Sequence, residues 1–378
     1  MRRNLRLLIL LPALLTTFAA VRPAPPAASE HPSTTLRAGR FLYVAEPGIR
    51  NYVEYGGVGV LVYDIDAGYT FVRRIPSQVV PAGAEPENVK GIAAHAATGR
   101  LYVTTIRRLM AFDLMTDAKL WDKEMPGGAD RLAVSPDGKT LYVPTLEGPQ
   151  WTVVNAMTGE IVASVTTNSG AHNTIYGADG KRVYLAGLKS PLLNVADPAT
   201  NTVVRQIGPF ANVIRPFTID GSQSRVFVNV NDLLGFEIGD LKTGKVLQHV
   251  EVKGYEKGEV KRHGCPSHGI ALTPDERELW LADGHNSAVH VFDMTAAMPK
   301  QIATIKVRDQ PGWITFRMDG KHAWPSTGEI VDAKTKKIIA TLTDEQHRVV
   351  QSEKVVEVVF DGNKVVRTGD QFGMGQKR

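Results

Sequence analysis

The chain has 378 residues, of which 43% are hydrophobic and 22% charged, with 44 Lys and Arg against 39 Asp and Glu. Four of the basic residues (Arg2, Arg3, Arg6 and Arg22) lie in the first 22 positions, so the rest of the chain, with 40 basic and 39 acidic residues, has no broad field to attract nucleic acid or an anionic membrane. Cys265 is the only cysteine, which excludes an intramolecular disulfide and leaves stability to core packing.

In chain order, the first element predicted is an export leader over residues 1–28. Arg2, Arg3 and Arg6 form a basic start, an apolar run follows from Leu7 to Ala20, and small residues and prolines come next. The run is short for a membrane span, and cleavage is expected between positions 20 and 28. The arginine pair faintly resembles a twin-arginine signal, but a general secretory leader fits better. No cysteine follows the run to carry a lipid anchor. Export implies a secreted or periplasmic protein with no transmembrane segment once the leader is removed. Residues 29–39, rich in Pro, Ala, Ser and Thr, read as a disordered linker.

From residue 40 to 368 one pattern recurs. An apolar strand, an Asp-Gly turn and a second strand with an aromatic near its end appear as Leu132–Val143 around Asp137, and as Thr174–Leu185 around Asp179. A third copy, Ile270–Leu281, carries Asp275-Glu276 at the turn, and degenerate copies start at Ile92, Phe217, Ile314 and Val356. Asp-Gly between alternating apolar runs predicts a tight hairpin, because Gly tolerates positive φ. Each copy is followed by two further strands, as in Trp151–Asn155 and Ile161–Val165. Four antiparallel strands per unit of about 40 residues predict an all-β, seven-bladed β-propeller. The first unit, residues 40 to 75, lacks an opening strand, and the stretch near Val356 supplies one. The ring is therefore expected to close by pairing strands from the two ends of the chain, leaving residues 369–378 as a tail and the protein a monomer.

The repeat Ser135-Pro-Asp-Gly-Lys-Thr-Leu-Tyr-Val143 resembles the YVTN-type family of bacterial seven-bladed propellers over essentially residues 40–368. That resemblance implies the fold and leaves function open, since the family includes binding proteins and enzymes.

The long insertions, Glu46 to Gly57, Ser77 to Asn88 and Val252 to Pro266, all fall between strands two and three or between blades, hence on one face. That face is the expected binding face. Two positions before each innermost strand stand Lys90, Asp130, His172, Arg215, His268, Gly312 and Lys354, with Arg131, Asn173 and Trp313 next to them. This column is expected to ring the channel mouth and to take a small polar or anionic ligand, peptide or glycan, with Tyr55 from the first insertion nearby.

Two alternatives involve chemistry. His172 or His268 acting as acid or base, with Arg215 or Arg131 neutralising a carboxylate and Tyr55 as a partner acid, would suit a lyase or hydrolase of acidic, uronate-containing carbohydrate. The similarity to propeller enzymes of that kind is one of architecture and residue type alone. In the sixth unit, His263, Cys265, His268 and His285 are donors suited to Zn or Cu, although their spacing matches no strong zinc signature. No nucleophile elbow, phosphate-binding loop, dinucleotide fingerprint or covalent haem motif is present. His290, within an alternating strand, reads as structural, and Trp280 as core. Trp313 suits either stacking on a sugar or plugging the channel.

Overall fold

The computed structural model describes residues 38–377; the leader and nearly all of the predicted linker lie outside the described residues. Seven antiparallel sheets follow one another around a central channel, as the repeat predicts. Blade 1 contains β1 (Gly39–Glu46), β2 (Gly59–Asp64) and β3 (Thr70–Ile75), while blade 2 contains β4 (Val89–His95), β5 (Arg100–Thr105), β6 (Arg108–Asp113) and β7 (Lys119–Glu124). Blade 3 is β8 (Ala133–Val134), β9 (Thr140–Pro144), β10 (Gln150–Asn155) and β11 (Ile161–Thr166), and blade 4 is β12 (Ala171–Tyr176), β13 (Val183–Gly187), β14 (Leu193–Asp197) and β15 (Thr202–Ile207). Blade 5 is β16 (Ile214–Ile219), β17 (Arg225–Val230), β18 (Gly235–Asp240) and β19 (Val246–Glu251); blade 6 is β20 (Ser267–Leu272), β21 (Glu278–Asp283), β22 (Ala288–Asp293) and β23 (Lys300–Lys306). Blade 7 is β24 (Ile314–Phe316), β25 (His322–Pro325), β26 (Glu329–Asp332) and β27 (Lys337–Thr341).

The C-terminal strand β28 (Val355–Asp361) pairs with β1, in register Val44 to Val355 through Gly39 to Phe360, and so supplies blade 1 with its innermost strand. Both ends of the chain thus close the ring, which leaves no open edge between the first and last blades. A further strand, β29 (Lys364–Thr368), pairs with the end of β28 and makes this sheet five-stranded.

The turns follow the sequence chemistry. Gly138 takes φ +69° after Asp137, and the Asp137 carboxylate accepts from the Lys139 amide at 3.1 Å. Where the repeat reads Asp275-Glu276, Glu276 itself takes φ +56°, and the Asp275 carboxylate accepts from the Arg277 amide at 3.2 Å. The aspartate clamp therefore persists where the glycine is lost.

The hydrophobic core is divided among the walls between blades. One cluster joins Tyr43, Val60 and Val356 of blade 1 to Ile92, Val103 and Phe112 of blade 2. Another joins Phe227 and Phe236 of blade 5 to Ile270, Leu281 and Phe292 of blade 6. The outermost strands are largely exposed, as in β15 and β27. Each blade thus buries both faces of its inner strands against its neighbours.

Residues 369–377 are not a free tail. They enter the channel from the face opposite the long loops. The Gln371 side chain accepts from the Ile92 amide at 3.3 Å and donates to the Leu132 carbonyl at 2.9 Å. The Gly373 carbonyl accepts from the Thr218 hydroxyl at 2.8 Å, and the Gly375 amide donates to Ile219 at 3.0 Å. Phe372 is buried edge-on to Trp313, with ring centroids 6.0 Å apart. These contacts reach blades 2, 3, 5 and 7, so the segment closes the channel floor. Among the described residues no helix is long and apolar enough to cross a membrane.

Candidate functional site at the channel mouth

At the other end of the channel, the polar side chains that open the inner strands meet. Glu353, just before β28, is the hub. Its Oε2 accepts from Lys354 Nζ at 2.9 Å and from Arg131 Nη2 at 3.1 Å, and its Oε1 faces His263 Nδ1 at 3.3 Å. The exposures of these side chains are 8% for Glu353, 4% for Lys354, 3% for Arg131 and 5% for His263, so the charges interact largely away from water. Burial alone would raise the Glu353 carboxyl. The surrounding cations, Lys354 foremost and Arg131 with it, outweigh burial and hold it well below the usual carboxylate range. Burial lowers Lys354 to about 8 and Arg131 to about 10, against the opposing pull of Glu353.

A second carboxylate lies beside the first. Asp130 Oδ2 is 2.7 Å from His172 Nδ1, and its Oδ1 faces Lys90 Nζ at 3.5 Å. Asp130 is buried, yet His172 and Lys90 keep its carboxyl below the ordinary value. His172 and Lys90 are the most accessible members of the network, at 12% and 18% side-chain exposure.

His268 and His263 stack at 4.6 Å with 19° between their planes. His268 Nδ1 is 2.9 Å from the Gly312 carbonyl, which can only accept, so this nitrogen carries the proton. Burial first, and then the neighbouring imidazole, lower the pKa of His268 well below its ordinary value; burial also lowers that of His263. Both rings are therefore neutral near pH 7. A side chain at Gly312 would run into the His263 ring, which is why this position of the column has none.

His263 reaches the channel because the 252–266 insertion folds across the mouth. Arg262 bonds Asp309 Oδ2 at 2.5 Å and Gln351 at 3.3 Å, and also the Tyr55 hydroxyl; Arg50 donates to the Arg262 carbonyl at 3.1 Å. The first and third insertions are thus joined over one side of the mouth. The channel floor is coupled to the same network. Arg131 lies 3.3 Å over the centre of the Trp313 ring, and Trp313 Nε1 donates to the Gln371 carbonyl at 2.5 Å.

Of the residues predicted for ligand binding, Lys90, Asp130 and Arg131 enter this network through their side chains. Asn173 is buried beside Arg131, with both amide atoms unpartnered. Trp313 is 2% exposed and covered by Arg131, so it plugs the channel and presents no free face to a sugar. Tyr55 is held by Arg262 as part of the loop anchor, and partial burial raises its hydroxyl, which does not suit it as a free acid.

The predicted catalytic trio of His172, His268 and Arg215 does not assemble. Arg215 is pinned by Asn231 Oδ1 at 2.5 Å and by the Gly264 carbonyl at 3.1 Å, and so braces the covering loop. His268 is buried beneath His263 and too weakly basic to exchange protons near neutral pH.

The four-donor metal set is also corrected. Cys265 is buried, its thiol raised to about 12 and donating to the Ser267 carbonyl at 2.8 Å, so it is no thiolate ligand. His285 sits on an exposed loop, where Nδ1 meets the Glu259 carbonyl at 3.2 Å. Glu353 instead joins His263 and His268, with potential ligand atoms within 4.8 Å of one another. Glu353 already neutralises two buried cations, so a Zn or Cu ion there would meet Arg131 and Lys354 at close range. The residues present do not fit a metal. His290 is structural, bonded to Asp283 at 3.0 Å and Thr304 at 2.9 Å.

Glu353 was not legible in the sequence, because it precedes the column residue Lys354, outside the positions that the repeat makes equivalent. Nor was Glu46, fully buried at the end of β1 and raised well above the usual carboxylate value by burial, with Oε1 unpartnered.

No family model matches the chain, and no curated protein matches it. Among solved structures the chain is similar to hydrazine synthase of Kuenenia stuttgartiensis, with a TM-score of 0.57 and 15% identity over 75% of this chain and 89% of that chain. At that identity the likeness shows the fold alone. The protein is a seven-bladed β-propeller.

Proposed function

We propose that this propeller is an exported binding protein of the YVTN type that takes a small carboxylate-bearing ligand at the loop-side mouth of its channel. The observation that carries the reading is the charge balance. Lys90, Arg131 and Lys354 stand against Asp130 and Glu353, both carboxylates are ionised and the two stacked imidazoles are neutral, which leaves one positive charge in excess. Donors remain unused: Arg131 Nε and the Asn173 amide are buried without hydrogen-bond partners. Buried donors of this kind favour a ligand with acceptor oxygens. The open side of the mouth, at Lys90, is where such a ligand first meets charge.

Calorimetric titration with D-glucuronate, D-galacturonate, citrate and L-malate tests this. Binding of at least one is expected, weakening about tenfold or more in Lys90→Ala, as loss of a charge-assisted contact implies. Absence of binding by all four at millimolar concentration, or binding indifferent to Lys90→Ala, would refute the proposal.

A further inference from the structure

We infer that Asp130 and His172 form a general-base dyad that removes a proton from the carbon next to the carboxylate of a ligand bound at this mouth. The inference rests on the carboxylate-binding reading. It goes further, because binding alone does not call for the arrangement around His172.

That arrangement has three parts. The 2.7 Å contact joins His172 Nδ1 to a carboxylate that is ionised and 1% exposed. An ionised carboxylate only accepts, so Nδ1 carries the proton of the neutral ring and Nε2 carries the lone pair. Among the described residues no group hydrogen-bonds Nε2, and the His172 side chain keeps 12% exposure. Lys90 stands on the other oxygen of Asp130 and is itself 18% exposed, so one buried carboxylate holds both a cation and an imidazole that are partly accessible. A buried aspartate that fixes the tautomer and stabilises the imidazolium is the physical requirement for a histidine base.

The step balances within the site. The carbon–hydrogen bond next to the ligand carboxylate breaks, its proton forms a bond to His172 Nε2, and its electron pair delocalises into the carboxylate as an enediolate. The added negative charge lies toward Lys90. The imidazolium is stabilised by Asp130, which stays ionised. Return of a proton from solvent regenerates the ligand, so the minimal observable is hydrogen exchange with water.

The test uses the full chain in D2O with D-glucuronate, D-galacturonate and L-malate. Proton NMR follows loss of the signal at the carbon bearing the carboxylate, and calorimetry follows binding separately. The wild-type protein is expected to exchange that position. His172→Ala should slow exchange at least a hundredfold at saturating ligand, a loss in turnover that a change in affinity cannot produce, and added imidazole should restore part of the rate. Asp130→Asn should slow exchange while the remaining activity shifts its pH dependence, because the amide no longer stabilises the imidazolium. A ligand that binds but does not exchange, or that exchanges equally fast in His172→Ala, overturns the dyad and leaves the binding reading standing. Failure of all three to bind overturns both.

Discussion

Replacing Glu353 by Gln keeps the shape of the hub and removes its charge. In the wild type, one carboxylate serves Lys354 at 2.9 Å, Arg131 at 3.1 Å and His263 at 3.3 Å, all within a few per cent exposure. The amide leaves two buried cations, of which only Arg131 still has a carboxylate, Asp130, acting on it, and breaking a buried pair in this way costs about 3–5 kcal/mol. Part of that cost is relieved by deprotonation. Lys354 sits at about 8 only because Glu353 holds it up, so in the variant it gives up its proton near pH 7. The expectation is therefore about 3 kcal/mol, read from urea denaturation followed by tryptophan fluorescence. The pH dependence has a definite sign. A carboxyl depressed in the folded state contributes stability above its unfolded value of about 4.3, and the contribution is lost as pH falls through the folded value. The gap between wild type and Glu353→Gln should be widest at neutral pH and narrow below about pH 4. A variant within about 1 kcal/mol of wild type at pH 7, or a gap that widens on acidification, would refute the hub.

Carboxylate affinity should fall as pH rises through about 8, where Lys354 loses its charge beside Arg131, Lys90 and Glu353; calorimetry from pH 6.5 to 9.5 checks this, and a flat profile contradicts it. Phe372→Ala should destabilise by about 3–5 kcal/mol, as a buried Phe truncation does, and should shift the emission of Trp313, whose ring it packs against. Native protein should resist a thiol reagent at pH 8, because the Cys265 thiol is buried and raised to about 12, whereas urea-unfolded protein should react with one equivalent.

The ring was legible in the sequence because blades repeat. Asp-Gly turns and alternating runs recur four strands at a time at the spacing of propeller blades, and the missing opening strand of blade 1 pointed to β28. The column of polar residues before the inner strands was legible for the same reason, since a repeat places equivalent positions at equivalent places in the channel. What departed from the repeat could not be read this way. Glu353 lies one residue outside the column. His263 reaches the channel from an insertion with no equivalent in other blades, and Gln371 and Phe372 belong to a segment after the last repeat. Proximity misled as well: Cys265 and His285 stand near His263 and His268 in sequence or blade, but strand direction and loop exposure send them elsewhere.

The closing of blade 1 by β28 also sets an order of events during synthesis. A chain emerging from its N-terminus has every strand of blades 2 to 7 by Thr341, yet blade 1 still lacks its innermost strand, Val355–Asp361. Glu353 and Lys354 belong to that late stretch, and the floor waits for Gln371. A nascent chain halted at residue 345 would hold Lys90, Asp130, Arg131, His172 and His268 with no hub to neutralise Arg131 and no floor beneath Trp313. The charged mouth is completed only after blades 2 to 7 have all their strands, and the floor is laid after the mouth.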